Sequence, residues 1–193
     1  MAYIGLRKPY VAKYSCVGGT VSYTEGQLLA KAIEYSSSIE ASDDNNLWAD
    51  DNIAESDSSF GSGTLSITTD DIMPEASAMI LGVKKNTVTV NEKECTELVY
   101  DDETASPELG FGIIIPRKKN GVVSYRAVIL TRVKFNIPED AASTKGETIE
   151  WKTPSISGSI MRADDAKHTW KYDADCPDEA TAEAYIKQKL NIT

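Results

Sequence analysis

The sequence predicts a mainly β (α+β) domain, a β-sandwich or partly closed β-barrel with one short internal helix and a C-terminal helix. Three observations carry that reading. Apolar residues alternate with polar ones over several short segments, the period of a half-buried strand. An Asn-Gly pair, Asn120-Gly121, sits between two apolar runs, the signal of a tight hairpin. Helical spacing of apolar residues occurs in only two short segments. About eight strands must bury their apolar faces, and a sandwich or partly closed barrel does so.

Taken in order, the first clear strand is 31–41. Ile33, Tyr35, Ser37 and Ile39 share one face, and Glu34, Ser36, Ser38 and Glu40 the other. The polar, acidic stretch at about 41–58 follows, with Leu47, Trp48 and Ile53 as its only large apolar residues. It reads as a long loop, and loops of that length in compact domains are commonly functional or disordered. A short strand at 63–68 places Leu65 and Ile67 together. Asp70, Asp71 and Glu75 around Pro74 then mark a helix start, because acids suit the positive end of the helix dipole. Ala76, Met79, Ile80 and Val83 give the buried stripe of that helix, and Gly82 its stop.

Strands are expected again at 87–91 and 97–100, and then at 110–116 and 122–135, the two arms of the Asn-Gly hairpin. The second arm alternates Val123, Tyr125, Ala127, Ile129, Thr131, Val133 and Phe135 with Ser124, Arg126, Val128, Leu130, Arg132 and Lys134. Its centre is apolar on both faces, so it is covered on both sides, by this chain or by a neighbouring one. Strands at 147–151 and 155–161 follow, separated by Pro154, which marks a turn or an edge. A terminal helix spans about 177–190, with Ala182, Tyr185, Ile186 and Leu190 inward and Lys187 and Lys189 near its C-terminal end. No repeat or linker divides residues 1–193, which reads as one domain.

The chain carries 20 basic and 30 acidic residues, a formal charge of −10. Such a chain gains little from counterion release, so specific DNA or RNA binding is a poor expectation. The signs are segregated. Residues 40–57 hold seven acids (Glu40, Asp43, Asp44, Asp50, Asp51, Glu55 and Asp57) and no base, whereas 113–134 hold Arg117, Lys118, Lys119, Arg126, Arg132 and Lys134 and no acid. Segregation of this kind suits head-to-tail complementarity between copies; two solvated surfaces are the plainer account. The longest apolar runs are a few residues, too short to span a bilayer, and the N-terminus has no apolar signal core.

Chemistry-bearing patterns are sparse. Cys16, Cys95 and Cys176 are scattered and odd in number, which fits neither a disulfide framework nor a zinc site. The single His168 has no nucleophile near it in sequence. Ser58–Gly63 and Gly110-Phe111-Gly112 lack the spacing of phosphate loops, and no GxSxG or HExxH motif occurs. The acidic stretch offers oxygen ligands without the spacing of a calcium loop. No catalytic residue, cofactor or metal is expected.

Five segments together carry a family resemblance: MAYIGLRKPYVAKY, LLAKAIEYSSSIEASDDNNLWADDNIAES, FGSGTLSITTDDI, GFGIIIPRKKNGVVSYRAVILTRVKF and ETIEWKTPSISGSI. In wording and order they resemble the phi13-like major tail proteins of long-tailed phages, over about residues 1–190. The resemblance implies a tail-tube fold, in which six copies form a ring and joined sheets line a channel. It further implies stacked rings through which phage DNA passes without specific binding. Implied partners are further copies of the chain, a tape measure protein and a tail terminator protein. The implied location is the virion tail, after synthesis in the host bacterial cytoplasm. Loops and terminal arms of such proteins bridge rings, so the candidate contacts between copies are Tyr3, Tyr10, Trp48, Ile53, Arg117, Lys118, Lys119, Val128 and Leu130. Two rival readings stand beside it: a β-rich viral binding or receptor-recognition module using its aromatic residues, and an enzyme with dispersed acids.

Overall fold

The computed structural model describes residues 2–41, 45–49, 52–57, 59–139, 144 and 153–193, the segments 45–49 and 52–57 by backbone alone. Its strands are β1 (Ala2–Tyr3), β2 (Arg7–Val17), β3 (Thr20–Leu28), β4 (Ala32–Ala41), β5 (Asn45–Ala49), β6 (Asn52–Asp57) and β7 (Phe60–Thr69). Helix α1 (Pro74–Leu81) precedes β8 (Lys84–Val90), β9 (Lys93–Val99), β10 (Glu108–Lys119), β11 (Val122–Phe135), β12 (Ser155–Met161) and β13 (Lys171–Cys176). Helix α2 (Glu179–Lys189) ends the order. The chain is mainly β, built on one large antiparallel sheet that does not close into a barrel.

That sheet runs β3-β2-β10-β11-β12-β7-β4, with β1 on β10 and β13 on β11. Its centre is the Asn-Gly hairpin. Asn120 and Gly121 take φ of 50° and 83°, the left-handed pair that a two-residue turn requires between twisted strands. Strand β11 serves two neighbours on its far edge: β13 beside Tyr125–Leu130, and β12 beside Arg132–Phe135. The changeover is a β-bulge. Leu109 pairs with Val133 but Phe111 pairs with Leu130, so one extra β11 residue is inserted at Thr131–Arg132.

The bulge corrects the even alternation expected along β11. Ala127 and Ile129 face one core, whereas Val128, Leu130, Val133 and Phe135 all face the other. Thr131 is buried at the switch, and its polar groups are satisfied. Its N–H donates to Trp170 O (3.1 Å), its hydroxyl donates to Thr169 O (2.7 Å), and its carbonyl accepts from the Tyr23 hydroxyl (2.8 Å).

Both faces of β10 and β11 are therefore covered. On one side lie α1 and inward residues of β7 and β12, including Leu65, Ile67, Ile156 and Ile160. On the other lies α2, through Ala182, Ile186 and Leu190 against Ile114, Ala127 and Ile129. The helix sits close because β10 carries glycine beneath it: a Cβ on Gly112 would lie 2.6 Å from Ile186 Cγ2. The sheet curls enough that Tyr35 of β4 stacks on Phe111 of β10, with ring centroids 6.1 Å apart, although three strands separate them in the sheet order.

Several expectations change. The N-terminal region is not an arm: β2 and β3 are full strands of the large sheet. Strand β13 was not expected from the sequence. The acidic 41–58 stretch is not simply a loop, because β5 and β6 pair from Asn45↔Asp57 to Ala49↔Asn52 as a two-stranded sheet. The short strands expected at 87–91 and 97–100 are one seven-rung hairpin, β8–β9. Helix α1 starts at Pro74 and stops at Gly82, whose φ of 69° makes a left-handed cap. The strand expected at 147–151 lies outside the described residues.

Candidate functional site

Among the described residues, no group of histidine, cysteine and carboxylate side chains is arranged to hold a metal ion. His168 sits at a turn with φ 51°, its Nδ1 3.3 Å from the Ala163 carbonyl oxygen. Cys176 is buried, which pushes its thiol pKa up, and Cys16 has its Sγ 3.6 Å from the Asp164 carbonyl oxygen. Cys95 is exposed on β9. The surfaces that merit functional reading are therefore faces and edges of sheet.

Three of the expected contact residues belong to the interior. Val128 and Leu130 are 1% and 0% exposed, sealed under α1 and the curled sheet, so they offer no surface to another copy. Tyr10 is 7% exposed and lies under α2, where its hydroxyl donates to Glu183 Oε1 at 2.7 Å. Lys8 pairs with the same carboxylate. The Lys8 and Tyr10 hydrogen bonds hold the Glu183 carboxyl down at about 2. This cluster clamps α2 to β2; its role is internal.

Much of the basic run at 113–134 is also spent within the chain. Arg117 pairs with Asp175 and Arg126 with Asp173, both on β13. Arg132 reaches Glu108 at 2.7 Å and Asp164 at 2.7 Å, with its guanidinium 5.3 Å from the Tyr14 ring centroid. Hydrogen bonds to these carboxylates come first among the causes that raise the pKa of Arg126 and of Arg132. Lys118 and Lys119 remain exposed and without an ion pair among the described residues. They lie opposite Val123 and Val122 at the end of the β10–β11 hairpin. Tyr3 joins them by pairing with Arg117, and its hydroxyl accepts from Arg126 Nη1 at 2.9 Å. With Tyr3 60%, Ile4 52% and Val122 69% exposed, this end is an apolar patch with two free cations.

Trp48 and Ile53 fall on β5 and β6 and are direct cross-strand partners. That juxtaposition was not readable from a segment taken as loop.

A second surface was read in sequence only as the polar faces of separate strands, not as one surface. The outward residues of β12, β7 and β4 align in rows: Ser155–Thr68–Glu34, Ser157–Ser66–Ser36 and Ser159–Thr64–Ser38, with Ser62 beside Glu40 beyond them. The inward residues between them are apolar or glycine on β7 and β12, apart from buried Thr69. The result is a three-strand face of hydroxyls with two carboxylates and no aromatic or cationic side chain. Lys134 and Asn136 border it on the β11 side. Its other border is β4, which ends the sheet; β3 ends it on the far side. Strand β4 spans ten residues without lysine or proline; its edge protection is confined to its two ends, where Glu34 and Glu40 sit beside irregular pairing with β7, and Tyr35–Ile39 between them pair regularly.

Among the concave sites is a cavity of about 400 Å³ bordered by Tyr23, Asp165, Tyr172, Gln188, Lys189 and Asn191, among others. Its polar groups are engaged: Asp165 accepts from Thr169, Asn191 donates to the Tyr23 carbonyl oxygen, and the Lys189 ammonium lies 4.5 Å from the Tyr172 ring centroid.

No family model matches the chain, and no curated protein matches it in sequence.

Proposed function

We propose that this chain is a tail-tube subunit of a long-tailed phage, a structural protein that assembles as stacked rings, six copies to a ring, and not an enzyme. The observation that carries the proposal is the hydroxyl face of β4, β7 and β12 bounded by β4, the last strand of the sheet. A sheet with a free edge at each end extends from copy to copy, and a heterologous edge contact that closes by rotation gives a ring. In that ring the curled sheet and its helices form a tail-tube-type sandwich, with α1 on the face away from the channel.

The chemistry of the face suits a wall along which DNA moves. Cationic or aromatic side chains would hold phosphates or stack bases, and each contact would brake the duplex. Serine and threonine hydroxyls keep the wall hydrated, and Glu34 and Glu40 add weak repulsion of the backbone. Tape measure and tail terminator proteins are the further partners of such a tube, in a virion tail made in a bacterial cytoplasm.

A β-rich binding or receptor-recognition module is the second reading, favoured by the cavity beside Tyr23 and Tyr172. Negative-stain electron microscopy of the purified chain across concentration and salt separates the two. Hollow rings or tubes of uniform width are expected; a monomer at every concentration that binds a small ligand in the cavity would favour the module.

A further inference from the structure

Hairpin β8–β9 has almost nothing to stand on. It forms a two-stranded sheet of its own, with seven rungs from Lys84↔Val99 to Val90↔Lys93. Every residue of it is exposed except Leu98 and Val99 at the base. Its turn places Asn91 and Glu92 at φ 50° and 63°, so a glutamate occupies a left-handed position that favours glycine. An isolated two-stranded hairpin is marginal in water. Among the described residues, neither a third strand nor a packed face makes up that deficit. Among the described residues, ion pairs hold only the base, Lys84 with Asp101 and Lys85 with Glu75.

One face of the hairpin aligns Val88, Cys95 and Val90 beside Lys93 and Glu97. Beyond the base, Glu92, Glu94 and Glu97 stand against Lys93, so the projecting part carries an acidic excess. None of these carboxylates has an ion-pair partner among the described residues. The end of the β10–β11 hairpin is the converse, with exposed Ile4, Val122 and Val123 beside the unpaired cations Lys118 and Lys119.

These two surfaces lie at opposite ends of the molecule's longest strand pair. The base of β8–β9 adjoins Gly82, which packs on Ala105 and Pro107 just before β10 begins. Lys118 and Lys119 close β10 at its other end, about 40 Å away for a strand of this length. A patch and its complement at opposite ends make a contact that cannot be satisfied within one chain and does not close on itself.

We propose that the β8–β9 hairpin docks on the Tyr3/Lys118/Lys119/Val122 end of a second copy, as the axial contact between successive rings. This rests on the tail-tube reading and gives the stacking contact its residues. A hairpin about 24 Å long and about 10 Å wide offers roughly 240 Å² on its docking face. Standard stable interfaces bury about 800 Å² per partner, so a single contact is weak. Repetition around a ring supplies the remaining affinity, since each further contact forms intramolecularly.

The test uses Cys95, already on the docking face, and V122C at an exposed position of the receiving end. Full-length V122C, assembled and treated with a short bismaleimide, is expected to give a ladder of covalent multimers on a denaturing gel. The C95S/V122C control should give none. In parallel, K118E/K119E should raise the concentration needed for assembly at least tenfold, and E92K/E97K in the same chain should reverse most of that rise. Tubes without a Cys95-dependent ladder would overturn the docking contact and leave the tube reading standing. A wild-type chain that forms neither tubes nor rings would overturn the tube reading, and absence of the ladder there would overturn both.

Discussion

The two halves of the large sheet are built by different rules. Around β10 and β11 both faces are covered, one by α1 and the curled sheet and the other by α2, and the strand centres are apolar throughout. In β12, β7 and β4 only the inner face is covered, and the outer face carries hydroxyls. The first half supplies stability and the second supplies a surface. Side chains can be exchanged on that outer face at little energetic cost, whereas almost none can be exchanged beside β11.

The largest effect separating the halves is expected from Leu130→Ala. Leu130 is fully buried, and truncation there removes transfer energy and leaves a cavity, so the unfolding free energy measured by chemical denaturation should fall by about 3 kcal/mol. A loss below about 1 kcal/mol would mean that the site collapses and that β11 is less tightly enclosed than its contacts indicate.

A smaller effect tests the clamp on α2. The folded carboxyl of Glu183 titrates at about 2, against an ordinary 4.5. A depressed carboxylate stabilises the fold above its unfolded pKa and loses that contribution as pH falls from 4.5 toward 2. Glu183→Gln should therefore cost about 1 kcal/mol at neutral pH, with the two proteins converging near pH 2 in thermal melts. Parallel pH profiles would show that the carboxylate charge is immaterial to helix docking.

The smallest effect belongs to the outer face. Ser66→Ala should change stability by less than about 0.5 kcal/mol, measured in the same denaturation experiment. A large loss would mean that the hydroxyl rows are structural, and the contrast between the halves would disappear.

Both rules were legible in the sequence where local signals were strong. Asn120-Gly121 between apolar runs marked the central hairpin, and Ser155–Met161 alternated cleanly enough to fix its inner and outer faces. The bulge at Thr131–Arg132 was not legible, because Val133 and Phe135 keep the odd spacing of Ala127 and Ile129 while facing the opposite core. Strand β2 was obscured by a continuous buried run, Tyr10 to Ala12, and by irregular pairing between Val11 and Lys13. Strand β13 left a usable trace: Tyr172, Ala174 and Cys176 alternate with Lys171, Asp173 and Asp175. Apolar alternation also made Val128 and Leu130 resemble an assembly surface, since sequence cannot say whether a second layer comes from the same chain. The hydroxyl face was hidden for a related reason, because its rows form only when residues from three distant segments come into register.

The glycines at 110 and 112 teach the same lesson from the other direction. As a motif they lack the spacing of a phosphate loop; in place they are the clearance that lets Leu190 and Ile186 settle on β10.

The order of strands in the large sheet also sets a timetable. Hairpins β2–β3, β8–β9 and β10–β11 join neighbours in sequence and can close early. The ladders that unite the sheet, β2 with β10 and β7 with β12, join segments far apart in the chain and require costly loop closure first. During that interval the backbone groups of β4 and β3 are already aligned for a partner, while the layers meant to cover their inner faces are absent. Premature pairing between half-folded copies competes with maturation, and it gains with concentration because it is bimolecular. A chain of this topology is therefore best produced slowly and dilute, and concentrated only after the distant ladders have closed.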